Sequence, residues 1–169
     1  MNTQNGKFVR RLVLTGIVAA VYTVMTLGLG FISYGPVQFR LSELLNLLAF
    51  VNPIFAPGVI LGCFIANFMG SAIPFDWLFG TLATALALFC ITRTKRLIVA
   101  AMWPVLFSGV IVGAMLTSYL TEPPFQLLSF LTFAGSVMAG QFVVVMLIGV
   151  QLFKYLMRNE RLMVYFRGF

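Results

Sequence analysis

Arg40 and Glu43 stand three residues apart between two long apolar runs. On a helix that spacing puts both on one face. Gln38 precedes them, and Tyr34 and Phe39 flank them with aromatic rings. Three further residues share their character. Asn67 lies in an otherwise apolar stretch, Asp76 sits between Phe75 and Trp77, and Glu122 is followed by Pro123 and Pro124. Such groups suit recognition better than bond-breaking. A carboxylate accepts two parallel N–H groups, a guanidinium donates, an amide does both, and the rings of Tyr34, Phe39 and Trp77 offer flat apolar faces. Charge at bilayer depth is costly and marks a pathway or a site. The stretch 34–46 therefore reads as the lip of a ligand site.

Each residue has a plainer alternative. Arg40 and Glu43 can form a structural ion pair at a helix mouth. Asp76 and Glu122 can cap helix ends in water, and Asn67 can bond across to a neighbouring helix, since an unpartnered amide in lipid is expensive.

The elements that hold these residues are membrane helices. Of 169 residues, 61% are hydrophobic and 9% charged, against about 25% charged in a soluble domain. The apolar runs are too many for one soluble core, so the fold class is all-α and polytopic. No run alternates with period two, as a membrane β-barrel needs. The spans predicted are approximately 12–32, 41–51, 57–71, 77–92, 97–119 and 128–155, forming a single membrane domain over 1–169. Asn52 with Pro53, and Pro57 with Gly58, divide the second span from the third. The first apolar run is too long for a cleavable signal peptide.

The net charge of +7 is distributed in clusters. Lys7, Arg10 and Arg11 precede the first run; Arg93, Lys95 and Arg96 share one loop; Lys154, Arg158, Arg161 and Arg167 follow the last run. Clusters so placed orient spans toward the cytoplasm and do not indicate nucleic acid. Both basic termini are then cytoplasmic, which requires an even number of crossings. Arg40, Glu43, Asp76 and Glu122 fall on the outer face.

Several chemistries lack their residues. There is no phosphate-binding loop motif, and with no His there is no His base and no His metal ligand. Cys63 and Cys90 lack metal-ligand spacing and read as buried thiols. No cofactor and no metal are expected, and the chain is not read as an enzyme. Uphill transport would need an ion gradient or partner subunits. Small residues recur every four positions at Gly58, Gly62, Ala66 and Gly70, at Gly109 and Gly113, and on the first span at Gly16 and Ala20 and at Ala19 and Thr23. Such ridges allow close helix approach.

The run Tyr34, Gly35, Pro36, Val37, Gln38, Phe39, Arg40, with Ser42 and Glu43 after it, resembles the QueT family. Gly62 with Cys63, Ala66 with Asn67, Asp76, and the run from Phe79 through Gly80, Thr81, Leu82 and Ala83 to Thr84 form a second block of resemblance. That family is identified as substrate-binding (S) components of energy-coupling factor (ECF) transporters for queuosine precursors. The resemblance implies a six-helix S-component bundle in the cell membrane of a bacterium. It implies ligand capture at the outer side, with residues 34–39 as a lid. It implies partners as well: a transmembrane coupling protein, docked on a small-residue strip of the first helix, and two ATPase subunits that hydrolyse ATP. The strict strip A-x-x-x-A is absent, leaving Gly16, Ala19, Ala20 and Thr23 as docking candidates. A 7-deazaguanine, such as queuine or an aminomethyl precursor, would meet Glu43 or Asp76 with its N–H edge, Arg40, Gln38 or Asn67 with its carbonyl, and an aromatic ring with its face. The alternatives are an S component for another small vitamin-like solute, an ion-coupled secondary transporter, and a membrane scaffold.

Overall fold

The computed structural model describes residues 3–34, 38–122 and 126–167. These residues form an all-α bundle. Helix α1 spans Thr3–Gly28 and a short α2 spans Gly30–Ser33. An extended strap, residues 38–40, leads into a 3₁₀ segment, Leu41–Leu47, continued by α3, Leu48–Val51. After a turn at Pro53–Phe55 come α4, Ala56–Gly70, and α5, Asp76–Ile91. Two long rods follow. The first joins α6, Leu97–Phe107, to α7, Gly113–Leu120, through a π-helical stretch, Ser108–Val112. The second joins α8, Leu127–Gln141, to α9, Val150–Arg158, through another, Phe142–Gly149. A short α10, Glu160–Arg167, ends the described chain.

Four helical stretches are long and apolar enough to cross a membrane: Asn5–Gly28, Pro53–Gly70, Leu97–Leu120 and Leu127–Arg158. Leu41–Val51 and Asp76–Ile91 are apolar but shorter. The first of these two is wound mostly as 3₁₀ helix, which rises about 2.0 Å per residue against 1.5 Å in an α-helix. Its length therefore approaches about 20 Å, still short of the roughly 30 Å hydrocarbon layer. Its polar groups are shielded by protein, because Ser42, Glu43 and Asn46 are all buried.

Small residues decide how the helices pack, since lipid gives little hydrophobic drive between them. A Cβ on Gly62 would stand 2.7 Å from the Tyr22 Cβ and 2.8 Å from the Ala19 carbonyl oxygen. One on Gly58 would stand 2.9 Å from the Thr15 carbonyl oxygen. The α4 ridge thus seats directly on α1. Gly113 plays the same part between α7 and α8, where a Cβ would stand 2.7 Å from Ala134 Cα. The core centred on Tyr22, Val59, Cys63, Ala66, Leu88 and Ile91 lies where α1, α4 and α5 meet.

This packing separates the small-residue pairs of α1. Ala19 is buried against Gly62, and the Thr23 hydroxyl donates to the Gly62 carbonyl at 3.2 Å. Both therefore face the bundle, contrary to the expectation that they line a docking strip. Gly16 and Ala20 lie on the exposed side, among exposed Val13, Ile17 and Val24.

The ends of the bundle differ in charge. Arg11, Asn52 and Pro57 border one cavity, and the Asn52 side-chain amide donates to the Phe166 carbonyl at 3.0 Å. The starts of α1 and α4 and the described C-terminal segment therefore share an end. Helix α5, running back from the far end of α4, brings Arg93, Lys95 and Arg96 there too. Arg40 and Asp76 lie at the opposite end.

Candidate functional site

The site is assembled from the strap, the 3₁₀ segment and the facing walls of α1, α4 and α5. The strap is extended, so alternate residues turn inward: Gln38 and Arg40 are buried, while Phe39 points out. Two contacts seat it. The Phe39 N–H donates to the Ile32 carbonyl at 3.0 Å. Gly140 of α8 lets the Gln38 backbone approach so closely that a Cβ there would stand 2.3 Å from the Gln38 carbonyl oxygen.

Arg40 is 4% exposed, its guanidinium 5.2 Å from the centre of the Tyr34 ring. A buried cation over an aromatic face gains electrostatic stabilisation there. The Tyr34 hydroxyl donates to the Ala66 carbonyl at 2.6 Å. Burial pushes that hydroxyl up to about 12, so it remains a donor at physiological pH. Gly70 makes room for the ring, since a Cβ there would stand 2.8 Å from the Tyr34 hydroxyl. A cavity of about 250 Å³ opens beside these groups, lined by Leu27, Gly30, Tyr34, Gln38 and Gly70–Ile73.

Glu43 is held differently from the ion pair that the i, i+3 spacing suggests. It is 1% exposed. Tyr22 donates to its Oε1 at 2.7 Å, and Asn46 Nδ2 donates to its Oε2. Arg40 Nε, by contrast, has no hydrogen-bond partner among the described residues. Both carboxylates, Glu43 and Asp76, are near enough for their charges to bear on the guanidinium. Beside Glu43, the hydroxyls of Thr26 and Ser42 share a hydrogen bond of 2.6 Å.

Asp76 opens α5 from a strained position. Phe75 just before it has φ 68°, a left-handed conformation that is a genuine outlier for a bulky residue. The turn sends the Phe75 ring outward and leaves Asp76 2% exposed in the first turn of the helix. A carboxylate there is favoured by the helix dipole, yet Asp76 Oδ1 has no hydrogen-bond partner among the described residues. Asn67 faces it across Gly80: a Cβ at residue 80 would stand 2.5 Å from Asn67 Nδ2 and 3.2 Å from Asp76 Oδ1. Asn67 Nδ2 donates to Cys63 Sγ at 3.4 Å, and the Thr84 hydroxyl lies 3.3 Å from the same sulfur. Asn67 Oδ1 is unpartnered.

Tyr34, Gln38, Arg40, Glu43, Asn67 and Asp76 thus share one polar region. Phe39, Trp77 and Glu122 do not join it. Trp77 turns about 100° around the helix from Asp76 and packs edge-on against outward-facing Phe64 at 5.8 Å. Phe39 is displaced by the strap's alternation. Glu122 is exposed past the end of α7, and its backbone carbonyl accepts from the Gln126 side chain at 3.2 Å. The expected lid, 34–39, includes Gly35, Pro36 and Val37, which lie outside the described residues, as do Pro123 and Pro124.

Sequence reading gave no site role to Tyr22, Thr26, Ser42, Asn46, Thr84 and Gln141, although Ser42 and Thr84 fall in the two blocks of resemblance. The signals were faint: Tyr22 and Thr26 are four apart on one helix, and Asn46 follows Glu43 by three. Gln141 is an amide in an apolar run, as Asn67 is, and its Oε1 is buried without a partner. Cys63 is buried as expected, but within the polar region, whereas Cys90 is half-buried. No group of three or more His, Cys, Asp and Glu side chains converges as a metal site among the described residues. Several buried polar atoms here are without a hydrogen-bond partner among the described residues.

The Queuosine precursor transporter QueT of Lactococcus lactis subsp. cremoris is 47% identical over 68 residues, which is 39% of this chain and 38% of that protein. The match thus spans about two fifths of the relative's length. No solved structure matches the chain. The family model described as QueT transporter matches residues 12–158, and on that match this membrane protein belongs to the QueT transporter family.

Proposed function

We propose that this chain is the substrate-binding S component of an ECF-type importer, capturing a queuosine precursor at the outer face of a bacterial cell membrane. The ligand is a 7-deazapurine, queuine or a related 7-deazaguanine. A transmembrane coupling protein and two ATPase subunits complete the transporter and hydrolyse the ATP. The whole chain, 1–169, acts as one membrane domain with both termini cytoplasmic, following the basic clusters.

The observation that carries this reading is that three of the buried polar atoms without partners, Arg40 Nε, Asn67 Oδ1 and Asp76 Oδ1, belong to this region. Native proteins leave few such atoms, because each unmade hydrogen bond costs about 1–3 kcal/mol. Here they gather at the end of the bundle away from the basic clusters, in a region with a Tyr34 ring for a planar ligand to stack on. A deazaguanine supplies adjacent N–H donors for Asp76 and a carbonyl for Arg40. The exposed face of α1 bearing Gly16 and Ala20 is the strip on which the coupling protein docks.

Copurification tests the assembly. Tagged and expressed in its native membrane, the chain should carry with it a second integral membrane protein and two ATPases. Purified alone in liposomes, it should bind 7-deazaguanine without accumulating it. Accumulation by the chain alone, driven by an ion gradient, contradicts the proposal.

A further inference from the structure

The unpartnered buried atoms among the described residues are unequal in kind. Asn46 Oδ1, Asn67 Oδ1, Asp76 Oδ1 and Gln141 Oε1 are acceptors, whereas Arg40 Nε is a donor; the Ser33 and Thr81 hydroxyls can act either way. A carboxamide could turn over and offer nitrogen in place of oxygen. Which way it faces is decided by the hydrogen bond that its other atom makes.

For Asn46 that decision lies with Glu43. Asn46 Nδ2 donates to Glu43 Oε2, and Tyr22 donates to Oε1. An ionised carboxylate only accepts, so a reversed Asn46 would set oxygen against oxygen. For Asn67 the anchor sets no direction, because a thiol both donates and accepts weakly. Its Nδ2 donates to Cys63 Sγ at 3.4 Å, with the Thr84 hydroxyl against the same sulfur. Gly80, which has no side chain, lets that nitrogen pack directly against α5.

We propose that Glu43 is a positioning residue that holds Asn46 oxygen-first, so that the site selects its ligand by its N–H donors. This inference rests on the deazapurine reading and names, within it, the ring edge that is recognised. Glu43 then acts on the ligand through Asn46, and Asp76 is the carboxylate that touches it. A ring bearing an exocyclic amine beside its ring N–H fits this acceptor-rich wall. The same ring without the amine leaves a buried oxygen unpaired, the situation in which sites discriminate most strongly.

The test is a ratio of affinities, which a purely structural role leaves unmoved. The purified full chain in lipid nanodiscs is titrated with 7-deazaguanine and with 7-deazahypoxanthine, which lacks the exocyclic amine. The wild type is expected to favour 7-deazaguanine by about tenfold or more. Glu43→Gln lets Asn46 turn over, and Asn46→Ala removes its oxygen; each should reduce the preference to within about threefold. If Glu43→Gln fails to fold, Asn46→Ala carries the test alone. Equal wild-type affinity for the two bases overturns this inference and leaves deazapurine binding standing. A wild-type ratio retained in the folded variants overturns the positioning role. Failure of the wild type to bind either base overturns the functional reading and this inference with it.

Discussion

Gly80→Ala is expected to separate binding from folding. The added methyl would stand 2.5 Å from Asn67 Nδ2 and 3.2 Å from Asp76 Oδ1. Ordinary contacts lie near 3.5–4.0 Å, so the Asn67 amide must move by about 1 Å. That amide is the end of a side chain, and moving it disturbs chiefly its 3.4 Å contact with Cys63. Overpacking of this kind costs about 1–3 kcal/mol. Alanine is in turn favoured over glycine inside a helix such as α5 by about 0.5–1 kcal/mol. The net loss of stability is then about 0–2.5 kcal/mol. Binding suffers more directly, because the methyl displaces one acceptor and crowds a second. Loss of one such hydrogen bond is worth about 1–3 kcal/mol, or roughly 5- to 150-fold in Kd. Thermal unfolding and calorimetric titration with 7-deazaguanine, on the same nanodisc preparation, give both quantities. A folded Gly80→Ala protein that binds as tightly as wild type refutes the placement of ligand against Asn67 and Asp76.

Other substitutions probe the framework. Tyr22→Phe removes a buried donor from Glu43 and should lower stability by about 1–3 kcal/mol, read as a fall in the midpoint of thermal unfolding. Gly62→Val forces α4 away from Ala19 and Tyr22; a loss of about 1–3 kcal/mol or more is expected, with wild-type stability contradicting the close α1–α4 seat. Asn52→Ala removes both the cap on the Pro53–Phe55 turn and the hydrogen bond to Phe166, a loss of about 0.5–2 kcal/mol for the cap. Hydrogen exchange should rise in α10 while α4 stays protected.

How much of this was legible beforehand depended on the kind of residue. Arg40, Glu43, Asn67 and Asp76 stood out because a charge or amide in an apolar run is expensive and must have a reason. Their gathering at one end followed from the basic clusters at the other. Orientation was not legible. Trp77 is adjacent to Asp76 in sequence, but helix geometry turns it toward Phe64. Phe39 lies between two buried residues, and an extended strap sends it outward. A helical reading of 41–51 put Arg40 beside Glu43; the residues fold instead as an extended N-cap followed by 3₁₀ helix, and Tyr22 and Asn46 take the carboxylate. The left-handed Phe75 has no signature, since the sequence offers no glycine there. Of the two small-residue pairs on α1, only the packed structure shows that Ala19 and Thr23 face α4.

The central claim is that Asp76, with Arg40 and Asn67, receives a deazapurine in a site buried near the outer end of the bundle. Titration of wild type and Asp76→Asn with 7-deazaguanine tests it most directly. The substitution keeps the shape and removes the charge, and thermal unfolding of the same preparation checks that the protein stays folded. Charge-assisted hydrogen bonds are about twice as strong as neutral ones, and the account predicts at least about a tenfold loss of affinity. Wild-type affinity in Asp76→Asn, with the protein folded, would contradict it.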